Sequence, residues 1–313
     1  MLIVCRTLAA VVLSCWTAWG ESKPAASQPA FSPVVEPEAL LVELGRPGGP
    51  EGGFVILDVR PSEKYTEAHV QTARHVDLAE WAQKAKSPEE DLGKAVVWRR
   101  RIGELGITSA SRVIVYDDGP MTEAARLWFI LQHFGVTHAA ILNGGFAAIR
   151  PLLPPEWVSN EPSPPPALAS PLEPGGKPSP EVGLVDKSVL KQRLGRAGMA
   201  IVDARTNNEY LGKDARGNPR SGHLPGAINL PHEKLIDERG RLKPPDALKE
   251  VFAEAGITPR QHLVMHCQSG GRSSLAALAA IQAGYAHVEN YYLSFGEWSA
   301  DESCPVEQAE SED

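Results

Sequence analysis

The sequence predicts an α/β chain of two tandem domains, each a mostly parallel sheet flanked by helices. Three observations predict this. Apolar runs of strand length alternate with stretches of helical apolar spacing, as in sheets joined by crossover helices. A proline-rich segment divides the chain near its middle, and the pattern before it returns after it, about 150 residues further on. A length of 313 residues is long for one domain and comfortable for two.

The elements follow in order. Residues 1–20 carry one charge, Arg6, and an apolar run from Leu8 to Trp19, with small residues at Ala18 and Gly20. This reads as a secretory signal peptide cleaved near Gly20, so the mature protein is expected to be periplasmic or secreted. The alternatives are an uncleaved anchor that leaves the chain attached to the membrane, or a lipid-modified Cys15 after Val12-Leu13-Ser14. Residues 21–37 are rich in Pro, Ala and Ser and read as a flexible lead-in. Domain 1 is expected over 38–150. Ala39 to Leu44 has helical spacing, Phe54 to Arg60 and Val113 to Asp117 read as buried strands, and Thr122 to Phe134 is a helix stopped by Gly135. Ala139 to Leu142 is a further strand, ended by Asn143-Gly144-Gly145. Between Pro151 and Pro180 eleven of thirty residues are proline, so 151–180 is expected to be a stiff linker with no core. Domain 2 takes 181–306, and 307–313 form an acidic tail.

The duplication is explicit. Ile56-Leu57-Asp58-Val59-Arg60 returns as Ile201-Val202-Asp203-Ala204-Arg205, and His69-Val70-Gln71-Thr72-Ala73 as His223-Leu224-Pro225-Gly226-Ala227. Glu104-Leu105-Gly106-Ile107-Thr108 returns as Glu254-Ala255-Gly256-Ile257-Thr258. A period this long means two domains rather than a solenoid.

Composition narrows the function. A net charge of −8 excludes a general nucleic-acid binder, and nothing after residue 20 is apolar for long enough to span a bilayer. The mature chain keeps only Cys267 and Cys304, too few for a disulfide framework. Two thiols in an oxidising compartment either pair or include a reactive one. Cys304 lies beside Pro305 in a polar stretch and reads as incidental.

Cys267 reads otherwise. It ends the apolar run Leu263 to Met265-His266, and Gln268-Ser269-Gly270-Gly271 then turns the chain into a helix opened by Arg272. Loop N–H groups and the positive end of a helix converge on such a sulfur and, with Arg272, favour the thiolate. Domain 1 has Asp117-Asp118-Gly119-Pro120-Met121 in the same place. Asp117 does no thiol chemistry, and Pro120 removes one N–H. Domain 1 is therefore expected to be catalytically inactive. An aspartyl nucleophile at Asp117 is the rival, without metal ligands or a phosphate loop to serve it. His266 points away from Cys267 along an extended strand and reads as packing. His262 shares a strand face with it, but no third metal ligand is evident. His223 reads as ordering the Gly222–Gly226 turn, while Asp203 and Arg205 are expected to pair and brace the site, or else to form a simple surface ion pair.

These residues resemble the rhodanese sulfurtransferases of the tandem-domain type, which includes thiosulfate and 3-mercaptopyruvate sulfurtransferases. The resemblance runs from about residue 38 to 306. It is carried by both Asp-x-Arg strand ends, Ser221 to Pro231, the Cys267 loop, Tyr291 to Trp298, and aspartate at the cysteine position of domain 1. It implies that Cys267 attacks the outer sulfur of a small anionic donor such as thiosulfate, holds it as a persulfide, and passes it to cyanide or a thiol. It calls for no cofactor. The loop from Gln268 to Arg272 would stabilise the anions, and Arg272 would hold the donor with paired hydrogen bonds. Gln268 and Ser269 stand where thiosulfate enzymes have a second basic residue, Glu209 stands where some have arginine, and Gly270-Gly271-Arg272 differs from the loop end of the mercaptopyruvate enzymes. Both donors therefore stay open. Cysteine phosphatases also use a Cys-loop-Arg cradle, but with five intervening residues instead of the four here. A sulfur-binding or docking module without turnover is the non-enzymatic alternative, which a Cys267–Cys304 disulfide would favour.

Overall fold

The computed structural model describes residues 32–46, 53–164, 166, 172 and 182–308. The leader over 1–20 lies outside them, as do most of the lead-in and residues 165, 167–171 and 173–180 of the proline-rich linker.

Domain 1 is built on strands β1 (Val34–Val35), β2 (Phe54–Asp58), β4 (Arg74–His75), β5 (Arg112–Tyr116) and β6 (Ala139–Leu142). All pair in parallel, in the order β1-β6-β5-β2-β4. Helices α1 (Pro37–Leu44), α2 (Ser62–Glu67), α3 (Leu78–Lys84), α4 (Ala95–Glu104), α5 (Thr122–His133) and α6 (Gly145–Ile149) connect and cover it. Domain 2 repeats the plan. Its strands β8 (Val182–Leu184), β9 (Met199–Asp203), β10 (Ile228–Asn229), β11 (His262–His266) and β12 (Val288–Asn290) are again parallel, in the order β10-β9-β11-β12-β8. Its helices are α7 (Lys187–Arg193), α8 (Asn207–Tyr210), α9 (Pro245–Glu254), α10 (Gly271–Gln282) and α11 (Ser294–Ala300). The two sheets have the same strand order when their strands are matched in sequence order.

Both faces of each sheet are covered, so the central strands are continuously apolar through their middles rather than alternating. The twofold period of a strand still sorts the side chains. Val113 and Val115 enter one core, Ile114 and Tyr116 another. In domain 2, Leu263, Met265 and Cys267 share one core while Val264 enters a different one. The core that holds Cys267 also holds Trp98, Trp128 and Phe129 of domain 1. It is continuous across the domains because α5 packs on α10. Both helices are buried along nearly their whole length, α10 through an alanine-rich sequence that lets α5 approach closely.

Three segments differ from the sequence reading. The last residues of the expected flexible lead-in are ordered, because Val34 and Val35 add an edge strand to β6 and Pro37 opens α1. The expected linker starts later than Pro151. Arg150–Leu152 and Pro155–Trp157 form 3-10 turns, and β7 (Val158–Ser159) pairs antiparallel with β3 (His69–Val70). Pro-rich sequence without a core of its own has here been laid against domain 1, where Leu172 is also buried with its N–H on the Arg99 carbonyl. The first residue of the acidic tail is held too: Glu307 exchanges backbone hydrogen bonds with His223.

Candidate active site

The C-terminal ends of parallel strands gather loops on one side of a sheet, and the site lies there. β11 delivers Cys267 to its end, buried, on the face turned toward domain 1. Gly270 then takes φ 103°, a left-handed conformation that a β-carbon resists. A β-carbon there would also lie 2.9 Å from the Tyr292 ring. The turn brings the Gly270 N–H to 3.2 Å from the Cys267 sulfur, with Ser273 Oγ at 3.6 Å and Ser294 Oγ at 3.8 Å. Burial pushes the thiol pKa up. The charge of Arg272, the Ser273 hydroxyl and the backbone N–H groups of Ser269 and Ser273 outweigh it, and the pKa falls below its ordinary value.

Arg272 is not free to grip a donor with its whole fork. Its Nη1 and Nη2 donate to Glu209 Oε2 and Oε1 at 2.6 and 2.8 Å. Glu209 is buried and closes a capping box with Thr206 at the start of α8. Burial pushes its carboxyl up, but Arg272 and Thr206 outweigh this and hold it at about 2. Gln268 is engaged as well. Its amide is locked in a reciprocal pair with Asn218, at 2.7 and 3.0 Å. Ser269 contributes its carbonyl, which accepts from Arg126 Nη1 of domain 1 at 2.5 Å. Gly271 begins α10 directly under that arginine.

Above the loop lies a polar cavity of about 290 Å³. The Cys267 loop forms one side. Thr122, Glu123 and Arg126 of α5 form the opposite wall, and Arg216 and His232 complete the rim. Arg126 and Arg216 thus bring basic side chains to the cavity from outside the loop. No local signal marked Arg126, which precedes Cys267 by 141 residues. Arg216 was one of several charges in a glycine-rich stretch. Ser294 was legible in principle, since the repeat sets it against Gly145: the following residues, Phe295 and Phe146, both stack under the strand-end arginines, at 4.0 and 3.9 Å.

The remaining expected residues sit beneath the site. Asp203 and Arg205 pair at 2.6 Å with both side chains buried, so they are no surface pair. Arg205 also donates to the Gly222 carbonyl. Asp58 and Arg60 repeat this arrangement in domain 1, which has no cysteine at its loop. His223 stacks on Tyr210 and contacts its carbonyl at 2.9 Å. His266 is fully buried with Nε2 at 3.6 Å from Asp203, while His262 pairs with Glu289, so the two histidines have separate partners. Cys304, read from the sequence as incidental in a polar stretch, is a packed side chain. It is buried against the core that contains Trp298, because Arg220 gathers the carbonyls of Trp298, Ser299, Asp301 and Cys304 around it. Cys267 and Cys304 are both free thiols in different cores.

In domain 1 the corresponding loop is closed by its own aspartate. Asp117 Oδ1 accepts the N–H groups of Gly119 and Met121 at 2.9 and 3.0 Å, and Oδ2 those of Glu123 and Ala124, both at 3.2 Å.

Two parallel α/β domains, one with an N–H cradle around a cysteine and one with the same cradle filled by a carboxylate, define a tandem protein with a single thiol site. The chain belongs to the rhodanese-like family of sulfurtransferases, in its tandem form: the rhodanese-like domain matches residues 47–151 and again 186–301. It is 31% identical over 280 residues to a thiosulfate sulfurtransferase of Pseudomonas aeruginosa, covering 88% of this chain and 96% of that protein. It is 26% identical to a 3-mercaptopyruvate sulfurtransferase of Rattus norvegicus, covering 92% and 91%. The crystal structure of YnjE shares the fold, with a TM-score of 0.75 at 23% identity over 90% of this chain and 69% of that one.

Proposed function

We propose that this sulfurtransferase takes the outer sulfur of thiosulfate onto Cys267 and passes it to cyanide or a thiol. The carrying observation is the buried Cys267 sulfur, held by the Gly270 N–H beneath a polar, arginine-rimmed cavity. The Cys267 thiolate attacks the sulfane sulfur. The S–S bond of thiosulfate breaks, and sulfite leaves with its electron pair. Cys267 then carries a persulfide, and a nucleophilic acceptor attacks the outer sulfur and returns the thiolate. Loop N–H groups stabilise the anion at each stage, in the manner of an oxyanion hole. Since Glu209 occupies the Arg272 fork and Arg126 is engaged by Glu123 and the Ser269 carbonyl, Arg216 on the rim is the group left to hold the donor's charge.

A second donor is favoured by one observation. The cavity is larger than thiosulfate needs, and Arg216 on its rim suits a carboxylate, as 3-mercaptopyruvate carries. Purified protein supplied with each donor and cyanide, with thiocyanate followed, ranks the two. Cys267→Ser is expected to abolish turnover with both, and Cys304→Ser to retain it. Incubation with donor alone should add the mass of one sulfur atom to Cys267. Absence of that adduct with every donor would leave a sulfur-binding or docking module instead of an enzyme. The leader reading places the mature protein in the periplasm or outside the cell, and N-terminal sequencing of material from fractionated cells tests it.

A further inference from the structure

Ser269 and Gly270 share one peptide unit, and both ends of it are engaged. Its N–H, on Gly270, lies 3.2 Å from the Cys267 sulfur. Its C=O, on Ser269, accepts the 2.5 Å hydrogen bond from Arg126 of domain 1. In a trans peptide these groups point in opposite directions within one plane. A charged donor fixed on the oxygen therefore aims the hydrogen. It also polarises the amide, which strengthens the N–H as a donor.

The surroundings are shaped for this contact. Arg126 is buried, with Nε on Glu123 Oε2 at 3.0 Å and Nη1 at 3.4 Å from Tyr292 Oη. A β-carbon on Gly271 would lie 2.9 Å from Arg126 Nη2 and 3.1 Å from Glu123 Oε1, so the second glycine of the loop leaves the space that the guanidinium enters. In the loop of domain 1 the residue matching Gly270 is Pro120, which has no N–H to aim.

We propose that Arg126 is a positioning residue for the sulfur chemistry: it orients and polarises the Ser269–Gly270 peptide toward the Cys267 sulfur, so that the domain without a cysteine completes the site of the other. This rests on the reading of Cys267 as the sulfur carrier. The charged and titratable groups facing Arg126 are Glu123 on its own helix, Tyr292 before α11 and Lys86 after α3, and the last two also face Cys267.

The test uses the chain with Cys5, Cys15 and Cys304 all replaced by serine, so that alkylation reports on Cys267 alone. Iodoacetamide modification is followed against pH, and kcat and KM for thiosulfate with cyanide are measured, for Arg126 and for Arg126→Ala. The expected result is an alkylation midpoint raised by about one pH unit and a kcat lowered about tenfold, with KM changed less. Added guanidine should restore part of both. An unchanged alkylation profile overturns the proposal. A raised KM with kcat and profile unchanged overturns it too, and makes Arg126 a donor-binding group. If Arg126→Ala does not fold, Gly271→Ala displaces the guanidinium without removing it and should shift the profile the same way; an unshifted profile there overturns the proposal. A normal low-pH profile in the parent protein without any persulfide would instead refute the sulfur-carrier reading and leave the Arg126 measurement valid.

Discussion

Replacing Ser294 by glycine separates what this residue does for the fold from what it does for the sulfur. Ser294 holds φ 63°, and its counterpart in the repeat, Gly145, holds φ 60°. A β-carbon in that region costs about 1–2 kcal/mol, which glycine removes. Against this, glycine frees the unfolded chain by about 0.5–1 kcal/mol. The hydroxyl also accepts the Cys267 N–H at 3.1 Å, and orphaning that buried donor costs about 1–3 kcal/mol. The opposing terms leave Ser294→Gly destabilised by about 1 kcal/mol, a small change for a buried residue. The sulfur should notice more. The same hydroxyl stands 3.8 Å from Sγ, close enough to turn its proton from the Tyr291 carbonyl, 2.8 Å away, toward a charged sulfur. Losing a hydrogen bond to a charged group corresponds to about a tenfold fall in kcat/KM. Urea denaturation gives the first number and thiocyanate production the second. A loss above about 3 kcal/mol with turnover per folded molecule unchanged would show that the hydroxyl serves the scaffold alone.

Two further outcomes follow from the buried charges. Asp203→Asn and Asp58→Asn each leave an arginine buried without its carboxylate, and each should cost about 3–5 kcal/mol by urea unfolding; if Asp203→Asn instead lowers turnover without lowering stability, the pair belongs to the chemistry and not to the scaffold. Burial, only partly offset by Asp203, pulls the His266 pKa from 6.5 to about 4, so the folded state holds it neutral where the unfolded chain already binds a proton. Its contribution is present above pH 6.5 and is lost as pH falls toward 4, about 3 kcal/mol in all, and urea midpoints of wild type and His266→Gln should converge over that range.

Much of the fold was legible because a strand's period and a helix's period leave marks in the order of residues. Leu263, Val264 and Met265 announce a strand with both faces covered, and the repeat of Asp58-Val59-Arg60 as Asp203-Ala204-Arg205 announces the second domain. Proline counting misled at 151–159, where a segment without its own core lies on one already built. Within the site, the cysteine, the glycine turn and Arg272 lie in one stretch and could be read together. What could not be read was the direction of each side chain. Gln268 turns to Asn218 and Arg272 to Glu209 because partners from residues 209–218 are there to receive them. Arg126 arrives through the packing of α5 on α10, which no local pattern in either domain records.

The closed loop of domain 1 says what its open twin is shaped to hold. Asp117 gathers four N–H groups on two oxygens. Burial raises its pKa and these four contacts work against that rise, which is what a site evolved around negative charge would do. By the repeat, the N–H groups of Gly119, Met121, Glu123 and Ala124 correspond to those of Ser269, Gly271, Ser273 and Ser274. Two of these, on Ser269 and Ser273, already lower the pKa of the single Cys267 sulfur. A lone thiolate has one atom to offer where the aspartate offers two. The Ser274 N–H is committed to the Gly270 carbonyl at 3.0 Å, which leaves the Gly271 N–H as the donor capacity of the loop in domain 2 beyond what the resting cysteine uses. A second anionic atom attached to that sulfur would take it up, which is the physical reason to expect the loop to favour a persulfide over the bare thiolate. On this ground the Cys267 loop and the Asp117 loop are one cradle seen twice, filled by the aspartate in domain 1 and, on the proposed mechanism, refilled by the persulfide on each turnover in domain 2.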